Sequence, residues 1–276
     1  MSTEALEQLI EEPWNGGDLL PPLSDAERTA IRAGLLARVE SDGDQMDTGV
    51  PAALAWFADA EVLATLKRVV ASNVRGVVAE EAASSIGVIA KTLPAAQAVL
   101  RELLTHEDSG VVRMAVEHID DGALVLPLID ALAAHANDTL MASVIAKLAE
   151  TPTPQVIEAI ARHWDFAIVH NKTSSASNKI FDTLIDHAPH SKVAQAVFAT
   201  AVAHADEYAQ VRGLAALALT SDDITPHVKK LKTMKGLKPS GSSLRKSALT
   251  KLVKNRKADL ERLAAAGDKT AASLLK

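Results

Sequence analysis

A short motif recurs along this chain: an apolar residue, then arginine, then a second apolar residue three positions later. Full copies occur at Val74-Arg75, Val112-Arg113, Val211-Arg212 and Leu244-Arg245, and weaker copies without the arginine occur at Leu140-Met141 and Ser177-Asn178. Positions 75, 113, 141, 178, 212 and 245 are separated by 38, 28, 37, 34 and 33 residues. A period of about 20 to 50 residues is typical of repeat proteins, whose units bury their apolar faces against one another. The spacing therefore predicts a repeat architecture.

The composition favours stacked helices over sheets. Hydrophobic residues make up 48% of the 276 residues but aromatic residues only 3%, so Ala, Val, Leu and Ile must fill the interior. Small aliphatic side chains suit closely packed helices, whereas sheets are rich in aromatic and β-branched residues. The chain contains no cysteine, which excludes disulfides, cysteine-bound zinc and a thiol nucleophile. We therefore predict an all-α fold.

Capping and turn residues divide the chain into an N-terminal helical extension or cap, residues 1–48, and a helical repeat region, residues 49–276. In the extension, apolar residues at helical spacing predict a short helix that ends before the Gly16-Gly17 pair. Ser24 and Glu27 form a capping-box pattern, in which each residue hydrogen-bonds the backbone of the other, and this predicts the start of a second helix.

In the repeat region, pairs of helices are predicted to follow one another, separated by short turns. The first helix of each pair is predicted at residues 59–71, 94–105, 123–135, 154–164, 191–204 and 222–234. The second helix of each pair carries the arginine motif. Each pair would bury one apolar stripe against the next pair.

On the second helices, an acidic or amide residue precedes a Val-Arg pair, and Ala and Leu follow at helical spacing. This pattern resembles the HEAT-repeat (armadillo-like) family of α-solenoids over residues 50–255. The resemblance implies a right-handed α-α superhelix of about six helical hairpins. Asp206 and Arg212 stand six residues apart, as the acidic and arginine positions of the family's motif do, and the resemblance implies that they link neighbouring repeats in a ladder. Met141 and Asn178 replace the arginine, so the ladder is expected to be interrupted there.

The basic residues are concentrated near the C-terminus. Residues 1–223 contain 15 basic and 32 acidic side chains, whereas residues 224–258 contain 11 Lys or Arg and no Asp or Glu. The members of this basic segment, which are candidate binding residues, are Lys229, Lys230, Lys232, Lys235, Lys238, Arg245, Lys246, Lys251, Lys254, Arg256 and Lys257. Such a segment can bind nucleic acid, an acidic protein or the acidic part of a second copy, or it can be a solvated face. It has no aromatic residue on which bases could stack.

The arginines of the motif have two interpretations. They can line a groove that binds an anionic ligand, or they can hold adjacent helices together through carboxylates and helix-end carbonyls. We prefer the second interpretation, because the rigid fork of a guanidinium is well suited to such contacts.

His163, Trp164 and Asp165, with His170 nearby, form a cluster that suggests a pocket. The cluster interrupts the repeat spacing, and the stretch from it to Ser174 is predicted as a loop. Some HEAT-like proteins are DNA glycosylases that use tryptophan and aspartate on their concave face, so the resemblance implies a glycosylase-like activity near Trp164 as an alternative. The preferred interpretation is that Trp164 fills a gap between unequal repeats and that His163 lies at a helix C-terminus, where a cation is favoured. No catalytic residue is predicted.

No metal site and no cofactor are predicted. The sequence has no His-Glu-x-x-His pattern and no two histidines four residues apart. Residues 42–53 begin like a calcium loop but have Asp47 where the glycine belongs, and residues 236–242 have phosphate-loop spacing but Ser242 in place of the lysine. The acidic N-terminus does not read as a secretory signal, and no apolar run approaches about 18 residues, so a cytoplasmic location and no membrane contact are expected.

These observations favour a non-enzymatic protein-binding or scaffold protein that presents an extended α-solenoid surface to a protein partner. The alternative is a nucleic-acid-binding HEAT-like protein, with or without glycosylase-like chemistry, that uses the basic segment. A third alternative is a regulatory subunit or lyase-like protein of the HEAT-like group.

Overall fold

The structure, a computed structural model, describes residues 3–15, 23–72, 76–135, 137–170 and 175–276. All regular secondary structure in these ranges is helical, which confirms the all-α prediction. Residue contacts divide the chain into two compact units, Met1–Pro127 and Leu128–Lys276. The predicted boundary after residue 48 stays a prediction. In the described ranges, no helix is both long enough and apolar enough to cross a membrane.

The described part of the first unit is built of helices. Its α-helices are α1 (Thr3–Glu11), α2 (Asp25–Asp42), α3 (Gly49–Leu54), α4 (Ala60–Ala71), α5 (Gly76–Ile89), α6 (Ala95–Leu103) and α7 (Ser109–His118). Three short 3-10 helices lie at Pro13–Asn15, Gly43–Gln45 and Gly122–Val125. The Gly16-Gly17 break and the Val74-Arg75 motif lie outside the described residues.

The capping box predicted at the start of α2 is present. The Ser24 hydroxyl accepts a hydrogen bond from the Glu27 backbone N–H at 3.3 Å, and the Glu27 carboxylate accepts one from the Ser24 backbone N–H at 2.8 Å. Ile31, Leu35 and Val39 follow at helical spacing and are buried. The helix therefore begins where its cap satisfies the free N–H groups of the first turn and packs along one apolar stripe.

The second unit continues the alternation of paired helices. Its α-helices are α8 (Leu126–His135, which begins at the end of the first unit), α9 (Asp138–Leu148), α10 (Pro154–Arg162), α11 (Phe166–Val169), α12 (Ser175–His187), α13 (Lys192–Ala203), α14 (Glu207–Thr220), α15 (Thr225–Thr233), α16 (Pro239–Asn255), α17 (Lys257–Ala265) and α18 (Lys269–Leu274). Helices are present at each of the six ranges predicted for first helices, which confirms their helical character, but α11 occupies part of the stretch that is predicted as a loop. Phe166 and Ala167 are buried, so the α11 turn packs against its neighbours instead of crossing open surface.

The helices that carry the motif pack side by side within each unit. In the first unit α5 contacts α7; in the second, α9 contacts α12, α12 contacts α14, and α14 contacts α16. One of these helices, α14, lies close to α13 at Gly213. A Cβ at this position would come within 2.7 Å of the Phe198 carbonyl oxygen and of the Val202 backbone nitrogen. The absent side chain is thus what lets the two backbones meet.

Candidate binding site in the second unit

The histidine and tryptophan cluster predicted as a pocket is divided by the structure. His163 ends α10, where its Nε2 lies 2.7 Å from a carboxylate oxygen of Asp130, and the Nε2 of His170 lies 2.7 Å from the Ala133 carbonyl oxygen. Asp165 precedes α11 without a side-chain capping bond. The hydrogen bonds from His163 and then Arg162 lower the pKa of Asp130 from its ordinary value. Both histidines therefore contact α8, and His163 lies at the C-terminus of α10, where the preferred interpretation placed it.

Trp164 lies beside a small cavity of about 160 Å³. Its indole meets the His204 ring edge-on, with ring centroids 5.8 Å apart. The residues that line this Arg212 cavity are Trp164, Ala167, Ile168, Ser177, Phe181, Asp206, Glu207, Tyr208, Ala209, Arg212, Lys238 and Ser240. The predicted pocket residue Trp164 is therefore brought together with α12, the start of α14 and the turn before α16, and not with His163 and His170.

Arg212 is buried, and none of the residues that the structure describes forms an ion pair with it. It is 8% exposed, and its Nε is buried with no hydrogen-bond acceptor among the described residues. The guanidinium carbon lies 5.8 Å from the ring centroid of Phe181 and 5.6 Å from that of Tyr208, over both rings. Burial lowers the pKa of the Arg212 guanidinium, against the opposing influence of Tyr208 and Asp182. The aromatic rings thus provide the cation's nearest electrostatic support.

The acidic residues near Arg212 are bonded to other groups. Asp206 caps α14 by accepting hydrogen bonds from the backbone N–H groups of Tyr208 and Ala209, at 2.8 and 3.1 Å. Glu207 accepts from the Lys238 backbone N–H with both oxygens, at 3.0 and 3.2 Å. Asp182 forms an ion pair with Lys251 at 2.7 Å. The acids therefore stabilise a helix start and two interhelical contacts, and none of these bonds is made to Arg212.

The other arginines of the motif that the structure describes behave as structural residues. Arg113 on α7 pairs with Glu80 on α5 at 3.1 Å and with Glu117 on its own helix at 3.4 Å. Arg245 on α16 donates to the carbonyl of Met234, at the end of α15, at 2.5 Å. These contacts match the predicted use of carboxylates and helix-end carbonyls, so Arg212 is distinguished from them by its surroundings.

The basic segment contains two kinds of side chain. Those of Lys232, Arg245, Lys251, Arg256 and Lys257 form intramolecular hydrogen bonds or ion pairs. The remaining members are exposed, and within residues 175–276, described without a gap, their side chains form no such contact; these exposed lysines are Lys229, Lys230, Lys235, Lys238, Lys246 and Lys254. More than half of the predicted binding residues therefore present an uncompensated charge to solvent.

A groove of about 370 Å³ runs between α12, α14 and α16. Arg212 and the Lys251–Asp182 ion pair are part of its lining. The apolar lining residues of this α12–α16 groove are Phe181, Ile185, Val211, Ala215, Leu219, Leu244 and Ala248. On α16 the polar stripe that follows includes Lys246, Thr250 and Lys254, one or two turns apart. A groove with seven apolar lining residues is thus adjacent to two exposed lysines, Lys246 and Lys254.

Comparisons with protein-family models, with curated proteins and with solved structures find no match to this chain. The resemblance to HEAT repeats therefore stays a prediction. Among the described residues, no group of three or more His, Asp or Glu is arranged to hold a metal ion.

Sequence reasoning missed Phe181, Tyr208 and Ser240 as neighbours of Trp164 and Arg212. A signal was present for two of them: Phe181 follows the weak motif copy at Asn178 by three residues, and Tyr208 lies one helical turn before Arg212. Only the packing of α12 against α14 brings them to the same guanidinium.

Proposed function

We propose that this protein is a non-enzymatic binding protein of the HEAT-like α-solenoid type, and that its second unit binds an acidic segment of a partner protein. The observation that carries the proposal is the pair of exposed lysines without a partner, Lys246 and Lys254, next to the α12–α16 groove in a segment rich in further exposed lysines. Opposite charges accelerate the association of the lysines with an acidic segment and orient it. The apolar residues of the α12–α16 groove then bury apolar side chains of that segment.

The side-by-side packing of the motif helices supports the solenoid part of the proposal. Stacked repeats expose one helix of each pair along a continuous face, which is a surface suited to an extended segment of a partner. The right-handed superhelix of about six hairpins and the cytoplasmic location belong to the same proposal.

The charges of the two units support an acidic partner for the second one. Residues 1–127 carry 21 Asp or Glu against 9 Lys or Arg, a net charge of −12, whereas residues 128–276 carry 14 against 20, a net charge of +6. The second unit is therefore cationic even though the whole chain is acidic. An acidic protein is favoured over nucleic acid because the basic segment offers no aromatic side chain for bases and lies beside an apolar groove.

A binding titration tests the proposal. The probes are a fluorescent peptide in which Glu alternates with Leu and a fluorescent DNA duplex, each at low salt and at about 0.15 M salt. The test variant carries Lys229→Gln, Lys246→Gln and Lys254→Gln. The matched control removes the same charge from exposed, unpaired lysines elsewhere, with Lys91→Gln, Lys192→Gln and Lys269→Gln.

We expect the peptide to bind, the test variant to lose about tenfold in affinity, and the control to bind like the unaltered protein. Tighter binding of the duplex than of the peptide, lost in the test variant, would favour the nucleic-acid alternative. Absence of peptide binding at both salt concentrations, or equal losses in the test variant and the control, would reject the proposal.

A further inference from the structure

We propose that the Arg212 cavity is a binding site for a single carboxylate group, which Arg212 receives through its guanidinium edge. That this carboxylate belongs to an acidic side chain of a bound partner protein rests on the proposed function. The existence of a carboxylate site does not rest on it. Three features of the cavity carry the inference: an unpaired buried cation, acids that are already bonded, and a shape that admits one small group.

An arginine without an acceptor in a buried position is costly. A buried donor that lacks its hydrogen bond destabilises a fold by about 1–3 kcal/mol, and native structures contain few such groups. Arg212 is more than nine-tenths buried and its Nε has no acceptor among the described residues. Arg113 and Arg245, at equivalent positions of the motif, both have acceptors. The missing partner of Arg212 is therefore a property of this site and not of the motif.

The protein does not supply the missing acceptor from the acids close by. Asp206 is bonded to the first turn of α14, Glu207 to the Lys238 backbone, and Asp182 to Lys251. Each of these carboxylates is thereby held at a helix start or at an interhelical contact, and none of them forms a hydrogen bond or ion pair with Arg212. An acceptor from outside the chain would add a bond without removing one.

The chemistry of the cavity suits a carboxylate. The guanidinium carbon lies 5.8 and 5.6 Å from the ring centroids of Phe181 and Tyr208, and Nε is buried, so a ligand in the cavity would meet the terminal N–H groups. Two such groups can donate to the two oxygens of one carboxylate. Lys238 and Ser240 line the same cavity and offer further donors, and the Asp206 and Glu207 carboxylates that also line it accept backbone hydrogen bonds. A volume of about 160 Å³ is well below the 300–1,000 Å³ or so of pockets for drug-sized ligands, so the site admits a side-chain-sized group.

The site is tested first with small ions on the intact chain. In the protein labelled with 15N-arginine, the Nε–H resonance of Arg212 is assigned by its loss in Arg212→Met and followed during titration with succinate and, separately, with inorganic phosphate. We expect succinate to shift this resonance in a saturable way, and the phosphate titration tests the other anion that a guanidinium receives through two N–H groups. An unmoved resonance, or a larger response to phosphate, would overturn the inference.

The Glu-Leu peptide then tests the source of the carboxylate. We expect Arg212→Met and Arg212→Lys each to weaken peptide binding about tenfold, because lysine keeps the charge but loses the fork. Full binding by Arg212→Lys would show that charge alone matters and would reject the carboxylate site. Peptide binding that depends on Lys229, Lys246 and Lys254 but not on Arg212 would overturn the inference and leave the proposed function standing. Succinate binding without peptide binding would reject the proposed function and leave the carboxylate site standing.

Discussion

Replacing Arg212 with methionine is expected to stabilise the folded protein. Methionine keeps a long, flexible, unbranched side chain in the space between α12 and α14 and removes the buried charge and the unsatisfied Nε donor. Exchange of buried charged groups for apolar side chains of similar size is often neutral or stabilising by about 1–4 kcal/mol. Loss of the two ring contacts subtracts roughly 0.5–2 kcal/mol each, and sulfur–aromatic contacts return part of it, about 0.3–1.5 kcal/mol. We therefore expect a net gain of about 1 kcal/mol.

The measurement is urea unfolding followed by tryptophan fluorescence. Trp164 is the only tryptophan in residues 128–276 and lines the Arg212 cavity, so with Trp14 and Trp56 changed to Phe in every variant the signal reports on the second unit. A gain of about 1 kcal/mol would raise the melting temperature by roughly 2–4 °C. Arg162→Met, in the same unit, is the matched control: it removes the exposed Arg162–Asp130 ion pair, so a loss of up to about 1 kcal/mol is expected.

A loss of more than about 1 kcal/mol in Arg212→Met would refute the reasoning, because the contacts of the guanidinium would then outweigh the cost of burying its charge and its unsatisfied donor. A gain together with lost carboxylate binding would indicate that stability is sacrificed for binding at this position, as is common at functional sites.

Three further predictions concern single positions. Gly213→Ala is expected to cost about 1–3 kcal/mol in urea unfolding, because its Cβ would meet the α13 backbone, whereas Gly34→Ala, whose Cβ meets only the end of the Leu6 side chain, should be neutral or stabilising; equal effects would contradict the close approach. Burial raises the pKa of Glu81, so stability is lost as the pH rises from the unfolded-state pKa of this carboxyl to its higher folded-state pKa. Glu81→Gln should therefore stabilise the protein at pH 7 but not near pH 4, and an equal gain at both pH values would count against burial as the cause. The pKa of Asp130 is lowered by His163 and Arg162, so its contribution is present above the ordinary carboxyl pKa and lost as the pH falls through the lowered value; acid unfolding of Asp130→Asn should lack this component, and identical acid curves would exclude the ion pair as a source of stability.

The helical pairs could be predicted because their signals are local. Ser24 and Glu27 form the capping box, Asp59 and Asp108 cap α4 and α7, and the apolar spacing sets each helix's buried face. These features depend on residues within one or two turns of each other. The α11 turn was missed because Phe166 and Ala167 are buried by contacts with other helices, which nothing in that short stretch encodes.

The candidate site could be predicted only in part. The sequence indicated Trp164 and the lysines, because an isolated aromatic residue and a run of like charge are visible without a structure. It did not distinguish the exposed lysines from Lys251 or Arg256, whose partners Asp182 and Leu219 are distant in sequence or on another helix. Which basic residues remain free is a question of contacts between helices, and composition does not answer it.

The sequence by itself determined the helical class, the alternation of helix pairs and the concentration of positive charge, since each follows from residue type and short-range spacing. Only the tertiary structure determined which groups the arginines of the motif contact. Arg113, Arg212 and Arg245 are equivalent in the sequence, yet the first meets a carboxylate, the last meets a carbonyl, and Arg212 meets two aromatic rings. A guanidinium's energy depends on the groups that packing places around it, and those groups come from helices separated along the chain.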